Sequence, residues 1–204
     1  MNSRFWLVRH GEPSGVRGRC YGKLDIGLSA TGRAQMERAA ECLKAESFEA
    51  IYASPRVRTM ESARIVAGFH GCDCREDAAL AEIDFGDFEG LAYDEISARY
   101  PAIYRQWMEA PTEVQFPNGE SFAVMRSRVL RAFDAILQRH EGRTVAIVTH
   151  GGVIRIVLAW VLEMPDRCLF RLAQDYAAMN LLEWVDGVPV VRRMNVRPCC
   201  GADS

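Results

Sequence analysis

Residues 144–155 read TVAIVTHGGVIR: an unbroken, β-branched apolar run, then His150-Gly151-Gly152, then apolar residues again. A short apolar run of this kind is the signature of a strand buried on both faces, as in a parallel sheet covered by helices. Arg4–His10 (RFWLVRH) repeats the pattern, an apolar strand that delivers Arg9-His10-Gly11 at its carboxyl end. Two strands that each end in a histidine and a glycine set the frame for the rest of the chain.

Outward from these strands the sequence alternates. Ser29 is placed to cap a helix whose Met36, Ala39, Ala40 and Leu43 share one face. Phe48–Ala53 reads as a strand, and Ser54-Pro55 as the cap and first position of a following helix. Ala92–Met108 reads as helical with a break at Pro101, and Pro111–Gly119 as a loop. From Ser121 the residues Phe122, Met125, Val129, Phe133, Ile136 and Leu137 mark a long amphipathic helix ended by Gly142. Met179–Val185 and Val188–Met194 flank Asp186-Gly187 and read as a hairpin. Strand and helix in alternation predict an α/β fold of three layers, α/β/α, with a mostly parallel central sheet. With no repeat or linker, residues 1–204 read as one domain, with a helical cap segment at about 90–118.

Composition narrows the class. With 25 basic against 27 acidic residues and 49% hydrophobic residues among 204, the chain has a globular balance and no field to attract nucleic acid or an anionic membrane. The amino-terminal stretch lacks the apolar core and cleavage site of a signal peptide, and no run approaches the length of a bilayer span, so a cytoplasmic location is expected. Seven scattered cysteines without a CxxC pair predict reduced, structural thiols, with Cys199-Cys200 in a frayed tail.

In open α/β sheets ligands sit beyond the carboxyl ends of the strands, which brings His10 and His150 toward one site. A single histidine closing a strand would read as a satisfied polar residue; two of only four, each followed by glycine, do not. Arg9 adjoins the first, and Arg58 falls near the start of the helix after Ser54-Pro55. Guanidiniums, imidazoles and a helix N-terminus together suit a phosphate dianion. A metal centre built with Glu12 and Glu82 is the rival, but there is no HExxH or HxH spacing and the arginines would repel a divalent ion. The phosphate-binding GxxxxGK[ST] loop is absent. No metal and no cofactor is expected. Neutral His10 can attack phosphorus while Arg9, Arg58 and His150 offset charge, and Glu82 leads Asp84, Asp87 and Glu89 as proton donor to the leaving group.

LVRHGE (7–12), DIGLSATGRAQ (25–35), SPRVRT (54–59), LAEIDFGDFEG (80–90), PNGESF (117–122) and VTHGGVIR (148–155), in this order and spacing, resemble the histidine phosphatase family, which includes the cofactor-dependent phosphoglycerate mutases. The resemblance implies a phosphoglycerate mutase-like fold. His10 would be the phosphorylated nucleophile, Arg9, Arg58 and His150 the phosphate ligands, and Glu82 the acid. Gly11 and Gly151 in these motifs, with Tyr21 and Gly22 of Arg19-Cys20-Tyr21-Gly22, are the expected substrate-binding positions. Mutases usually carry asparagine where this chain has Val16, and a longer middle insertion, so hydrolysis is the expected activity and mutase action the alternative. Arg19-Cys20-Tyr21-Gly22 with EIDFGDFEG and PNGESF is most similar to the α-ribazole phosphatase branch. The expected partner is a small phosphorylated metabolite, with a homodimer as the expected assembly. A third alternative, from a different class, is a phosphate pocket kept only for docking phosphorylated partners. Tyr93, Tyr100, Tyr104, Trp107, Met108 and Phe116 are candidates to cover the leaving group, with Tyr21 and Lys23 as a second patch.

Overall fold

In the computed structural model, which describes residues 2–198, the apolar runs assemble into a six-stranded sheet of order β3-β2-β4-β1-β5-β6. β1 (Ser3–Arg9), β2 (Ala50–Ala53), β3 (Cys74–Glu76) and β4 (Thr144–Thr149) are parallel, and β5 (Met179–Val185) and β6 (Val188–Val196) close one edge antiparallel. Cys199 and Cys200 lie outside the described residues.

The period of two along the strands sorts the core into halves. Phe5, Leu7, Val145 and Ile147 join one cluster, with Phe133 of α5 (Phe122–Arg139) and Ile154 and Leu158 of α6 (Gly151–Val161). Trp6, Val8, Ala146 and Val148 join the other, with Met36 and Leu43 of α1 (Ala30–Leu43) and Ala63 and Val66 of α2 (Val57–Ala67). The three-layer α/β/α arrangement follows directly.

Local signals act largely as the sequence implies. Ser29 accepts from the Gly32 N–H at 2.9 Å and caps α1, and Ser121 does the same for α5. Asp186 and Gly187 both take positive φ, 51° and 81°, as the tight turn of a twisted hairpin requires. Pro101 separates α3 (Tyr93–Arg99) from α4 (Pro101–Glu109) at its first position.

Two helix boundaries differ from expectation. α2 begins at Val57, two residues beyond the expected first position: its first N–H donates to Asp25 Oδ1 at 2.8 Å, and Ser54 Oγ lies 2.8 Å from His150 Nε2. α5 ends at Arg139, with Gly142 (φ 72°) in the turn beyond it. No described helix is long and apolar enough to cross a membrane.

Candidate active site

β1 and β4 are in register as neighbours, Arg9 beside Thr149, so His10 and His150 leave adjacent strand ends. The His10 N–H donates to the Thr149 carbonyl at 3.0 Å, and the two imidazoles meet edge to face with centroids 5.2 Å apart. They form the floor of a cavity of about 360 Å³ that Arg9, Tyr21, Arg58, Glu82, Arg155 and Tyr176 also line.

His10 is 2% exposed, and its Nδ1 lies 2.7 Å from the Gly11 carbonyl. A carbonyl only accepts, so Nδ1 carries the proton and Nε2 keeps its lone pair. Burial first, then the charges of Arg9 and Arg58, hold this imidazole well below its ordinary pKa, outweighing the Gly11 bond. His150 is depressed likewise, by burial, then Arg58, then His10. Its Nδ1 lies 3.3 Å from Arg58 Nη2, and its Nε2 2.8 Å from Ser54 Oγ. Arg58 can only donate, so Nδ1 accepts and Nε2 holds the proton toward Ser54.

Arg58 is fully buried, and its fork is aimed by backbone: Nη1 donates to the Leu24 carbonyl and Nη2 to the Gly22 carbonyl, both at 2.7 Å. Glu89 holds that loop from the other side, accepting from the N–H groups of Gly22, Lys23 and Leu24. Arg9 donates from Nη1 to the Gln174 carbonyl. The Nε groups of Arg9 and Arg58 are buried without a hydrogen-bond partner among the described residues, and both side chains border the cavity.

Of the four acids that sequence left open, only Glu82 lines the cavity. Asp84 pairs with Lys23 at 3.0 Å, Asp87 with Asn118, and Glu89 with the loop backbone. Glu82 Oε2 accepts from the Gly152 N–H and Oε1 from the Ile83 N–H, each at 3.1 Å. A Cβ on residue 152 would fall 2.3 Å from Glu82 Oε1, so glycine makes this approach possible. Arg128 of α5 fastens the same segment, donating to the carbonyls of Ala79, Ala81 and Glu82 while pairing with both oxygens of Glu120.

The expected substrate-binding positions divide. Tyr21 lines the cavity, whereas Gly11, Gly22 and Gly151 stand behind its wall. A Cβ at Gly11 would meet the Gly32 carbonyl at 2.3 Å, one at Gly22 the Ile83 carbonyl at 2.0 Å, and one at Gly151 Arg155 Nη1 at 3.0 Å. These glycines let backbone and side chains close up beneath the site. Glu12 is held outside the cavity by Ser29 and Gln35.

Above the floor the wall turns aromatic. Phe85, Trp107 and Phe116 pack mutually with centroids 4.9 to 5.5 Å apart, and Tyr93 lies 5.9 Å from Trp107. Phe170, 56% exposed, faces them from the rim beside Arg155. Tyr100 and Tyr104 pack on the core instead, and Met108 is exposed. Sequence reasoning missed Ser54, Gly152, Arg155 and Tyr176. Arg155 ended a quoted motif, where its place one helical turn beyond Gly151 was the available signal; Tyr176 stood in no motif.

The sequence model of the histidine phosphatase superfamily (branch 1) matches residues 5–197. A bifunctional protein of Mycobacterium tuberculosis is 34% identical over 196 residues, covering 95% of this chain but 54% of its own length, so the chain spans about half of that relative. Phosphoserine phosphatase 1 of Hydrogenobacter thermophilus is 30% identical over 93% of this chain and 90% of its own. The crystal structure of the α-ribazole phosphatase from Shigella flexneri superposes with a TM-score of 0.89 at 25% identity, covering 98% of this chain and all of that one.

Proposed function

This chain belongs to the histidine phosphatase superfamily, and from that membership we propose that it is a metal-independent phosphomonoesterase working through a phosphohistidine. The observation that carries the proposal is the state of His10: a neutral ring with Nδ1–H held by the Gly11 carbonyl, its Nε2 lone pair available, and two guanidiniums beside it.

In the first step Nε2 attacks phosphorus, the P–N bond forms and the ester P–O bond breaks. Glu82 in its acid form gives the departing oxygen a proton. Arg9 and Arg58 offset the charge of the phosphoryl oxygens, the role a metal ion plays elsewhere, and neutral His150 assists by turning its Nε2–H from Ser54 to one of them. In the second step water attacks phosphorus, the Glu82 carboxylate takes its proton, and the P–N bond breaks to release phosphate and neutral His10.

The aromatic wall favours a leaving group with a flat, apolar face, and α-ribazole 5′-phosphate is our leading substrate. A cavity of about 360 Å³ suits a small metabolite of this kind; for the protein itself we propose a cytoplasmic location. The deciding experiment compares kcat/KM for α-ribazole 5′-phosphate, phosphoserine and p-nitrophenyl phosphate, and traps acid-labile phosphate on wild type and on His10→Ala. Phosphate release with labelling lost in His10→Ala supports the mechanism. Turnover without labelling would overturn it, conversion of 3-phosphoglycerate to 2-phosphoglycerate would favour a mutase, and a phosphoserine preference would displace the aromatic substrate.

A further inference from the structure

Tyr21 and Tyr176 reach the cavity from loops 155 residues apart, and their hydroxyl oxygens meet at 2.7 Å. Each ring backs one phosphate-binding arginine: the Arg9 guanidinium lies 4.2 Å from the Tyr176 centroid and that of Arg58 5.3 Å from the Tyr21 centroid. Both loops are tied to the site by backbone. The carbonyls of Gly22 and Leu24 accept from Arg58, and the Ala177 N–H donates to the His10 carbonyl at 3.1 Å, with Ala177 at φ 57°. Both loops are therefore bonded directly to residues of the site, one to Arg58 and the other to the backbone of the nucleophile itself.

Counting protons shows what the pair can do. Two phenols bring two O–H protons, and the bond between them uses one. Neither hydroxyl has another hydrogen-bond partner at good distance among the described residues, so one proton remains unshared. The cavity that both tyrosines line also holds Arg9 and Arg58, which only donate, and the His10 ring, 5.8 Å from that of Tyr176 between centroids, whose Nε2 the proposed mechanism keeps for phosphorus. An anion in the cavity is the partner that fits.

We propose that the Tyr21–Tyr176 pair is a neutral hydrogen-bond donor of the phosphate site, giving its unshared proton to a nonbridging oxygen of the bound phosphoryl group. This rests on the phosphatase reading above and adds to it a donor that brings no charge. The bond between the hydroxyls strengthens the donor, because the hydroxyl that gives to the anion is polarised by accepting from its neighbour. Burial and the bond to Tyr176 also push the Tyr21 phenol upward, so it keeps its proton at neutral pH.

The count predicts an unusual pattern. In Tyr21→Phe or Tyr176→Phe one hydroxyl survives with its proton free, so the donor is weakened but present; in the double variant it is gone. Calorimetric titration with inorganic phosphate should show each single variant weaker by about 3-fold and the double by about 20-fold or more, above the product of the singles. Phenylalanine keeps both rings, so a packing role alone would leave these constants unmoved. A double variant within 2-fold of wild type, or one equal to the product of the singles, would overturn the pair as a shared donor. Wild-type protein labelled with 13C at tyrosine Cζ gives a check that needs no variant: phosphate should shift two tyrosine resonances, and an unmoved spectrum would count against the pair. If wild type binds no phosphate and hydrolyses no ester, the phosphatase reading falls with it; if it does both and only the pattern fails, the pair alone is wrong.

Discussion

The floor of the cavity is set by backbone and its wall by side chains. His10, Arg58 and His150 are each at most 2% exposed, and every one is aimed by a carbonyl, a hydroxyl or a neighbouring ring nitrogen. The aromatic wall rests in part on α4, in which no residue is fully buried, and on Phe170 in a short 3-10 turn at the rim. On the function proposed above, chemistry that tolerates little displacement is fixed to strand ends, and recognition of the leaving group falls to more exposed elements.

Substitutions can break or sharpen this contrast. His10→Ala is expected to lower kcat for p-nitrophenyl phosphate by about 10⁴-fold or more, since without the nucleophile only binding and charge stabilisation remain. Arg58→Ala should cost about 10²- to 10³-fold in kcat/KM. It should also destabilise the fold by about 2–4 kcal/mol in urea titrations, because two carbonyls lose their donor. A floor residue that changed rate alone would blur the distinction. Gly152→Ala forces Glu82 aside and should cost about 10- to 100-fold in kcat, most for esters with poor leaving groups, in a leaving-group series. On the wall, Trp107→Ala should raise KM for an aromatic ester about 5- to 10-fold, leave kcat nearly unchanged and spare β-glycerophosphate.

The smallest effect is on stability against pH. His10 and His150 are held well below the ordinary histidine value of 6.5, so as pH falls through 6.5 the unfolded chain binds protons that the folded chain does not. Stability should therefore be full above 6.5 and decline below it, a drop of several degrees in Tm between pH 7 and 5. Added phosphate, an anion beside both rings, should flatten that decline.

Much of this was legible in sequence because strands, caps and turns are local. TVAIVT and RFWLVRH announced buried strands, Ser29 and Ser121 announced helix starts, and Asp186-Gly187 a hairpin. The histidines, Arg9, Arg58 and Glu82 could be named because each lies at a strand end or in a short motif. Ser54 misled, since a serine before proline looks like a cap; only the fold brings it to His150. The pairing of Asp84 with Lys23, the hold of Glu89 on the Gly22 loop and the meeting of Tyr21 with Tyr176 depend on contacts across 60 residues or more, which no local pattern encodes.

The place of β1 in the sheet bears on how the chain is made. Its partners on either side are β4 and β5, so a ribosome must add more than 170 residues after Ser3 before both edges of this strand can be covered. Until then one of the most apolar segments has open hydrogen-bonding edges, a template for pairing between nascent chains. The pairing that seats His10 beside His150 joins residues about 140 apart in sequence, the kind of non-local contact that must wait for most of the chain and that slows folding.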